Sequence, residues 1–494
     1  MTDLPPNTDP ALWGRFETIC TAEEYIESLR GRDMRVFLMG ERVADPADHP
    51  MIRPSVNAMA ATYALAEEDE ELGTALSPFA GTRVNRFLHI AESADDLVAK
   101  ARLQDALGRR TGTCFQRCVG LDALNSLHSV TYEIDAAHGT GYHQRLLDFL
   151  KVVQKRNQVI GGAMTDAKGD RSKAPHEQAD PDMFMHVTRT NDDGVFVTGC
   201  KLHQTGCVNS HWLIVMPTIR LGEEDKAYAI SGAVPAHAEG ITYIYGRQAS
   251  DTRCLEPGTM DQGNAGFSGQ EAMIVFEDVF IPWDHVFMHG EYEFAAMLVE
   301  RFTTYHRCSY ICKAGVGDVL VGAAAEAAEL NGVQRASHIR DKIVEMVHLN
   351  ETIRSGALAS AHEGRVMEFG RLPQRRDVCQ CVQAERHPLP LRDGSAGAGH
   401  RRRADGDDAV GAGPGARGGR PAGAQVPGRA HQLAPRGAAA DTATDREHDH
   451  RPQCGGVPHR VDARRRLAPG AADPDRPRRK AGGEAGQRAQ AGRD

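Results

Sequence analysis

Three hydrophobic periodicities follow one another along the chain. Between Thr21 and Lys155 apolar residues recur at helical spacing. Thr21-Ala22-Glu23-Glu24 followed by Tyr25, Ile26 and Leu29 is a helix start with a threonine cap and early acids. Similar amphipathic patterns run over 60–71, 93–108 and 141–155. The pattern predicts an all-helical N-terminal domain, residues 1–155, whose charge runs such as Glu67 to Glu71 are solvated faces. From about Gln158 the spacing shortens toward two, in VIGGAMTDAKGD, FMHVTRTNDDGVFVTGCKLHQTG, HWLIVMPTI and EAMIVFEDVFIP, separated by Gly, Asn and Asp. This predicts a central β-domain, residues 156–290, with Asn191-Asp192-Asp193-Gly194 as the turn of a hairpin. After Pro282 the helical period returns over 291–331 and 334–369 and predicts a C-terminal helical domain, residues 291–383. The fold class expected is α+β.

Composition changes that picture only at the end. After Phe369 the remaining 125 residues hold no Phe, Tyr, Trp, Ile or Met, and 23 Arg against one Lys. Such a segment cannot bury enough apolar surface to offset its ordering entropy. One reading is a disordered basic tail that touches nucleic acid or acidic surfaces. The other, preferred here, is a frameshift between Asp377 and Gln383, because GC-rich DNA in a wrong frame yields Arg, Gly, Ala and Pro. With permitted codons moved by one base, 385–408 can read NVTRFPYEMAPLAQDIAGGLMVT, and 445–470 can read IENMTIGPNAVGYLTESMHGAGSPQ. Helical patterns with aromatics and isoleucine thus emerge twice in one phase. Residues 384–494 are therefore expected to be low-complexity, out of frame and disordered, and no nucleic-acid partner is expected.

The whole chain has 494 residues, a formal net charge of −9 and eleven cysteines. An odd cysteine count behind a start, MTDLPPNTDPALW, without basic or apolar leader regions points to a reducing cytoplasm and ligand thiols rather than a disulfide framework. No uninterrupted apolar run reaches membrane-spanning length, so no membrane partner is expected.

Candidate chemistry concentrates in Arg301 to Ala325, RFTTYHRCSYICKAGVGDVLVGAAA. His306, Cys308, Tyr310, Cys312 and Lys313 precede Gly315, Gly317 and Gly322, small residues that let a helix lie close to a bulky neighbour such as a cofactor ring. Alone, the stretch also reads as a buried helix with inert cysteines. A second segment, TGTCFQRCVGLDAL, supplies Cys114 and Cys118 with Gln116 between them, and positions four apart share a helix face. Two core thiols are the plain reading of that pair. With His306 and Cys312 they make a three-Cys, one-His set that suits zinc or an iron–sulfur cluster, although structural zinc more often shows C-x2-C pairs.

These motifs carry a resemblance. TGTCFQRC, GAMTDAKGDRS, HQTGCVNSHWLIVMPT, the Gly269-Gln270-Glu271 turn with FEDVFIP, and YHRCSY with CKAGVGDVL are similar to the 4-hydroxyphenylacetate 3-hydroxylase superfamily. Within it the chain most resembles the 4-hydroxybutyryl-CoA dehydratase/vinylacetyl-CoA Δ-isomerase branch, from about residue 10 to about 378. The resemblance implies an acyl-CoA dehydrogenase-like architecture of helices, a central β-barrel and a helical bundle. It implies FAD, a 4Fe-4S cluster, an acyl-CoA substrate and a homotetramer, with the tetramer in question for a chain whose last helices are out of frame.

The family's cluster ligands carry over to Cys114, Cys118, His306 and Cys312, although only Ile311 separates Tyr310 from Cys312, one residue fewer than in the family motif. His306 doubles as the base for C2, Tyr310 and Lys313 stand beside the substrate, Glu271 serves proton work or orientation, and Gln116 faces flavin and cluster. FAD contacts are implied at Met164, Thr165, Asp166 and Lys168, and at Thr205, Gly206 and Asn209; there is no G-x-G-x-x-G fingerprint. The implied reaction dehydrates 4-hydroxybutyryl-CoA to crotonyl-CoA or isomerises vinylacetyl-CoA. The flavin takes and returns one electron, which acidifies C3, and the cluster acts as Lewis acid on the hydroxyl. The alternatives are a flavin-dependent aromatic-ring monooxygenase, whose family members lack the thiols, and an inactive frameshifted product.

Overall fold

A computed structural model describes residues 17–364 apart from 249 and 261–262; the segment read as out of frame lies outside the described residues. The first helices are α1 (Ala22–Ser28), α2 (Arg53–Glu68), α3 (Glu70–Gly73), α4 (Ala94–Thr111), α5 (Cys118–His138) and α6 (Tyr142–Arg156). α1 starts where its cap does: Thr21 Oγ1 accepts from Glu24 N at 3.1 Å, and the Glu24 carboxylate accepts from Thr21 N at 3.3 Å. Ser93 and Asp96 repeat the device at α4.

This region is not all-helical. β1 (Arg35–Leu38) and β2 (Glu41–Val43) form one hairpin, β3 (Thr74–Leu76) and β4 (Arg83–Asn85) another. Met34, Val36 and Leu38 alternate inward, a run too short to outweigh the helical periods around it. β1 then pairs in parallel with a strand two hundred residues later, a partner that no local pattern announces.

The remaining strands are β5 (Ile160–Ala163), β6 (His186–Thr190), β7 (Gly194–Thr205), β8 (Trp212–Val215), β9 (Ile230–Pro235), β10 (Ile241–Tyr245), β11 (Glu271–Pro282) and β12 (Val286–His289). The turn at 191–194 joins β6 to β7 as an antiparallel hairpin, as expected. The expected barrel is not formed. Among the described residues there are two open sheets besides the β3–β4 hairpin, ordered β2-β1-β10-β11-β7-β6 and β12-β9-β8-β5. β8 and β9 are buried along their whole length; β11 of the long sheet packs on β9, while α5 and Phe149 of α6 pack on β8.

α7 (Ala295–Ser309), α8 (Cys312–Leu330) and α9 (Ser337–His362) complete the described chain. α8 crosses α4 in backbone contact: a Cβ on Gly108 would lie 2.0 Å from Cys312 O, and one on Gly315 2.1 Å from Asp105 O. Gly315 thus admits α4 and Gly317 the Asn350 side chain of α9, while Gly322 meets nothing within 4 Å. One helical run, Tyr292–Leu330, is long and apolar enough by composition to cross a membrane. It escaped the search for unbroken apolar sequence because His306, Arg307 and Lys313 punctuate it, and the break at Tyr310 and Ile311 divides it.

Candidate active site: a cleft of thiols and an imidazole

Gln116 decides how the first thiol pair is held. Its φ of +68° puts it in the left-handed region, so α5 begins only at Cys118 and Cys114 sits in the preceding turn. The pair is brought together by a turn, not by one helix face. The Gln116 side chain is fully buried; Nε2 donates to Ser55 O (2.8 Å) and Ser268 O (3.3 Å), and Oε1 accepts from Gln270 N (3.4 Å). It ties the turn of Cys114 to the loop at 268–270 and does not face the cleft. That contact is close, for a Cβ on Gly269 would meet Cys114 Cβ at 2.8 Å.

The second pair comes from the α7–α8 break. His306 lies in the last turn of α7 and Cys312 is the first residue of α8. Cys114, Cys118, His306 and Cys312 all line one cavity of about 860 Å3, together with Tyr310, Lys313 and Glu271. Cys308 is buried instead against α9, its Sγ 3.0 Å from Ser360 Oγ. None of Cys114, Cys118 and Cys312 is in a disulfide. Burial, then the neighbouring Cys114 and Cys312, pushes the Cys118 thiol well above its ordinary range. Thiols gathered and desolvated in this way gain most from a soft cation, which stabilises their thiolates. Among the described residues no three His, Cys, Asp or Glu close around a single metal ion.

Two residues that sequence reasoning missed organise the imidazole. Asp122 is fully buried on α5, with Oδ2 3.0 Å from His306 Nδ1, while Oδ1 accepts from Lys100 Nζ (2.6 Å) and Ser309 Oγ (2.8 Å). Burial alone would push the Asp122 carboxyl up; Lys100 and then His306 outweigh it and hold the group below the usual carboxylate range. With Nδ1–H donated to Asp122, Nε2 is left for a ligand or substrate. The ring is steadied by Phe302, stacked at 5.1 Å, and by Tyr310, edge-on at 4.9 Å. The signal was one acid inside the otherwise apolar run VGLDAL, four residues past Cys118.

A smaller cavity, about 380 Å3, adjoins the first; Thr205, Glu271, His306 and Tyr310 line both. Met164, Thr165, Lys168 and Thr205 line it, so four of the seven implied flavin contacts come together. The other three turn inward. Asp166 Oδ1 lies 2.6 Å from buried Lys201 Nζ, and Oδ2 accepts from Thr218 Oγ1 at 2.7 Å. Lys201 also donates to Met164 O (2.9 Å) and Met216 O (2.8 Å), clamping the two segments that floor the cavity. Gly206, φ +67°, packs on Gln116, where a Cβ would meet Gln116 Cβ at 2.7 Å. Asn209 Nδ2 donates to Ser55 Oγ at 2.7 Å and its carbonyl accepts from Tyr25 OH at 2.8 Å. At the cleft wall Glu271 accepts from Thr205 Oγ1 (3.2 Å) and stands 3.7 Å from His203 Nδ1.

Two adjoining sequence families match this chain. The 4-hydroxyphenylacetate 3-hydroxylase N-terminal model covers residues 21–288 and its C-terminal model residues 295–381. The chain belongs to the 4-hydroxyphenylacetate 3-hydroxylase family. Within that family it is 51% identical over 350 residues to the 4-hydroxybutyryl-CoA dehydratase/vinylacetyl-CoA-Δ-isomerase of Clostridium aminobutyricum, covering 70% of this chain and 71% of that one. It superimposes on an oxygen-tolerant archaeal 4-hydroxybutyryl-CoA dehydratase from N. maritimus with a TM-score of 0.73 and 62% identity, over 74% of each chain. The oxygenase component of 4-hydroxyphenylacetate 3-monooxygenase complexed with FAD shares the fold at 21% identity and a TM-score of 0.62, over 74% of this chain and 75% of that one.

Proposed function

We propose that this chain carries the site of an FAD- and 4Fe-4S-dependent dehydratase for 4-hydroxybutyryl-CoA, with vinylacetyl-CoA Δ-isomerisation as the companion reaction. The observation that carries the reading is the single cavity lined by Cys114, Cys118, His306 and Cys312. Met164, Thr165, Lys168 and Thr205 would hold the flavin. When bound, the flavin supplies a one-electron acceptor and the cluster a Lewis acid for the departing hydroxyl.

The chain's own residues do the rest. His306 Nε2, the nitrogen left by the Asp122 hydrogen bond, would take the C2 proton, which the thioester acidifies, when it is released from the cluster, since its one lone pair cannot hold iron and a proton together. Lys313 and Tyr310 on the same wall donate to developing negative charge, and Glu271, oriented by Thr205, returns or relays a proton. A ring monooxygenase is the second reading, favoured by relatives such as the 4-hydroxyphenylacetate 3-monooxygenase oxygenase component of a Geobacillus strain, 24% identical. Three thiols in the cleft count against it.

The same reading extends to the chain's organisation: a region of helices with two short hairpins, 1–155, a β-domain, 156–290, a helical region, 291–383, and an out-of-frame remainder. In this family the C-terminal segment adds helices and a further glutamate near the active site, so the chain as it stands should have little or no activity. Sequencing the DNA over codons 375–385 tests the frame directly. A restored chain is expected to turn over 4-hydroxybutyryl-CoA, bind cluster and flavin, and resist protease; equal activity and protection in the unrestored chain would sink this account of residues 384–494.

A further inference from the structure

The parallel strands β5 and β8 have chemistry at both ends. Met164 and Met216, just past their last residues, line the cleft; Gln158 and Trp212, where they begin, line a different cavity of about 810 Å3. None of the residues assigned to the active site lies there.

Its walls are rich in guanidinium groups, and those groups differ in how far they are already committed. Arg30 is held by Glu27 (2.6 Å) and Asp48 (2.7 Å). Arg35 meets Glu277 only at 3.5 Å and Arg42 meets Asp33 only at 3.8 Å, with all four side chains well exposed, a kind of pair worth little in water and easily redirected. Arg32 is the unusual one. Nε donates to Leu29 O (3.1 Å), Nη1 to Ser210 O (2.5 Å) and Nη2 to Val208 O (2.7 Å), and among the described residues it forms no ion pair. Its direct hydrogen bonds are all to carbonyl dipoles, with the Asp45 carboxylate acting on it only from a distance, and each terminal nitrogen keeps a second N–H.

Independently, His237 Nδ1 is buried on the same wall with no hydrogen-bond partner. His211 is already satisfied: Nδ1 accepts from Val159 N at 2.9 Å, which leaves Nε2 to donate to Ser28 Oγ at 2.9 Å. Asp33 and Glu239 are the lining carboxylates, fewer than the arginines they face.

We propose that this cavity is a second ligand site, for a small organic phosphate of about nucleoside-diphosphate size. Its phosphates would lie against Arg32, Arg35 and Arg42, and its body along the 235–241 segment of the wall. Forked guanidinium donors match phosphate oxygens. The volume exceeds what a lone oxyanion needs and falls within the range of small-molecule sites. The site stands or falls apart from the assignment of the cleft.

The test is calorimetric titration of the full chain with ADP, pyrophosphate and adenosine at fixed ionic strength. ADP and pyrophosphate should bind at one per chain and adenosine should not. The Arg35→Gln/Arg42→Gln double variant, both positions being exposed on the β1–β2 hairpin, should weaken ADP at least about tenfold while leaving the melting curve unchanged, since loss of one charged contact is worth about that factor. Arg32→Gln should weaken it further. Lys168→Gln and Lys313→Gln, in the cleft, should leave ADP affinity untouched. Absence of binding, binding insensitive to the hairpin arginines, loss through the cleft lysines instead, or citrate binding as tightly as ADP would each overturn the proposal.

Discussion

The helical floor of the cleft and its β-sheet wall responded differently to the same kind of reading. On the floor, all four implied ligands converge on one cavity although they lie almost two hundred residues apart. On the wall, Met164, Thr165, Lys168 and Thr205 face the cleft while Asp166, Gly206 and Asn209 are spent on the scaffold. The ligand set was chosen by chemistry that only a few side chains can perform. Loop contacts were carried over as contiguous stretches, and an extended segment turns successive side chains to opposite sides. A motif in a strand or its flanking loop thus names a place, and burial then sorts its residues into those that touch a ligand and those that hold the place.

The sharpest break of that contrast is Cys118→Ala. Iron bound per chain should fall by more than the about 10–100-fold expected for an outer partner, with flavin largely retained on the wall. Unchanged iron content in the purified variant would remove Cys118 from the ligand set.

Next come the two buried carboxylates, one under each region. Asp122→Asn and Asp166→Asn each strand a buried lysine, Lys100 and Lys201, and should each cost about 3–5 kcal/mol in urea unfolding. Asp122→Asn should also weaken iron retention about 10–100-fold through His306, whereas Asp166→Asn should not. The opposite pattern would mean that the roles of the two acids are exchanged.

Thr165→Val should do the reverse of Asp166→Asn, changing stability by no more than about 0.5 kcal/mol while weakening flavin, read by fluorescence quenching. An unaltered flavin affinity would move the cofactor off that wall.

The smallest effect is on pH. Burial pushes His285 down to about 4 and His211 well below its ordinary value. The unfolded imidazoles, near 6.5, therefore take up protons first, so stability is complete above about pH 6.5 and declines as pH falls toward about 4. His285, whose Nδ1 lacks a partner and whose ring packs on Phe149 and Trp212, can be tested by His285→Phe, which should flatten part of that slope in urea midpoints between pH 7 and 5. An equally steep slope in the variant would assign the pH dependence to other groups.

The amino-acid sequence by itself determined the caps of α1 and α4, the hairpin at 191–194 and which thiols and imidazole could be soft ligands, because each is set by residues close together in the chain or by side-chain chemistry alone. Only the tertiary structure decided the rest. β1 became a strand because β10 offered it an edge. Gln116 turned inward because its left-handed backbone and three distant main-chain partners fixed it there. Asp122 became the partner of His306 because the α5–α7 contact set the buried carboxylate, held by Lys100, against the half-buried imidazole. Local periodicity reports which face of a segment is apolar; what that face meets depends on long-range packing, which no window of sequence contains.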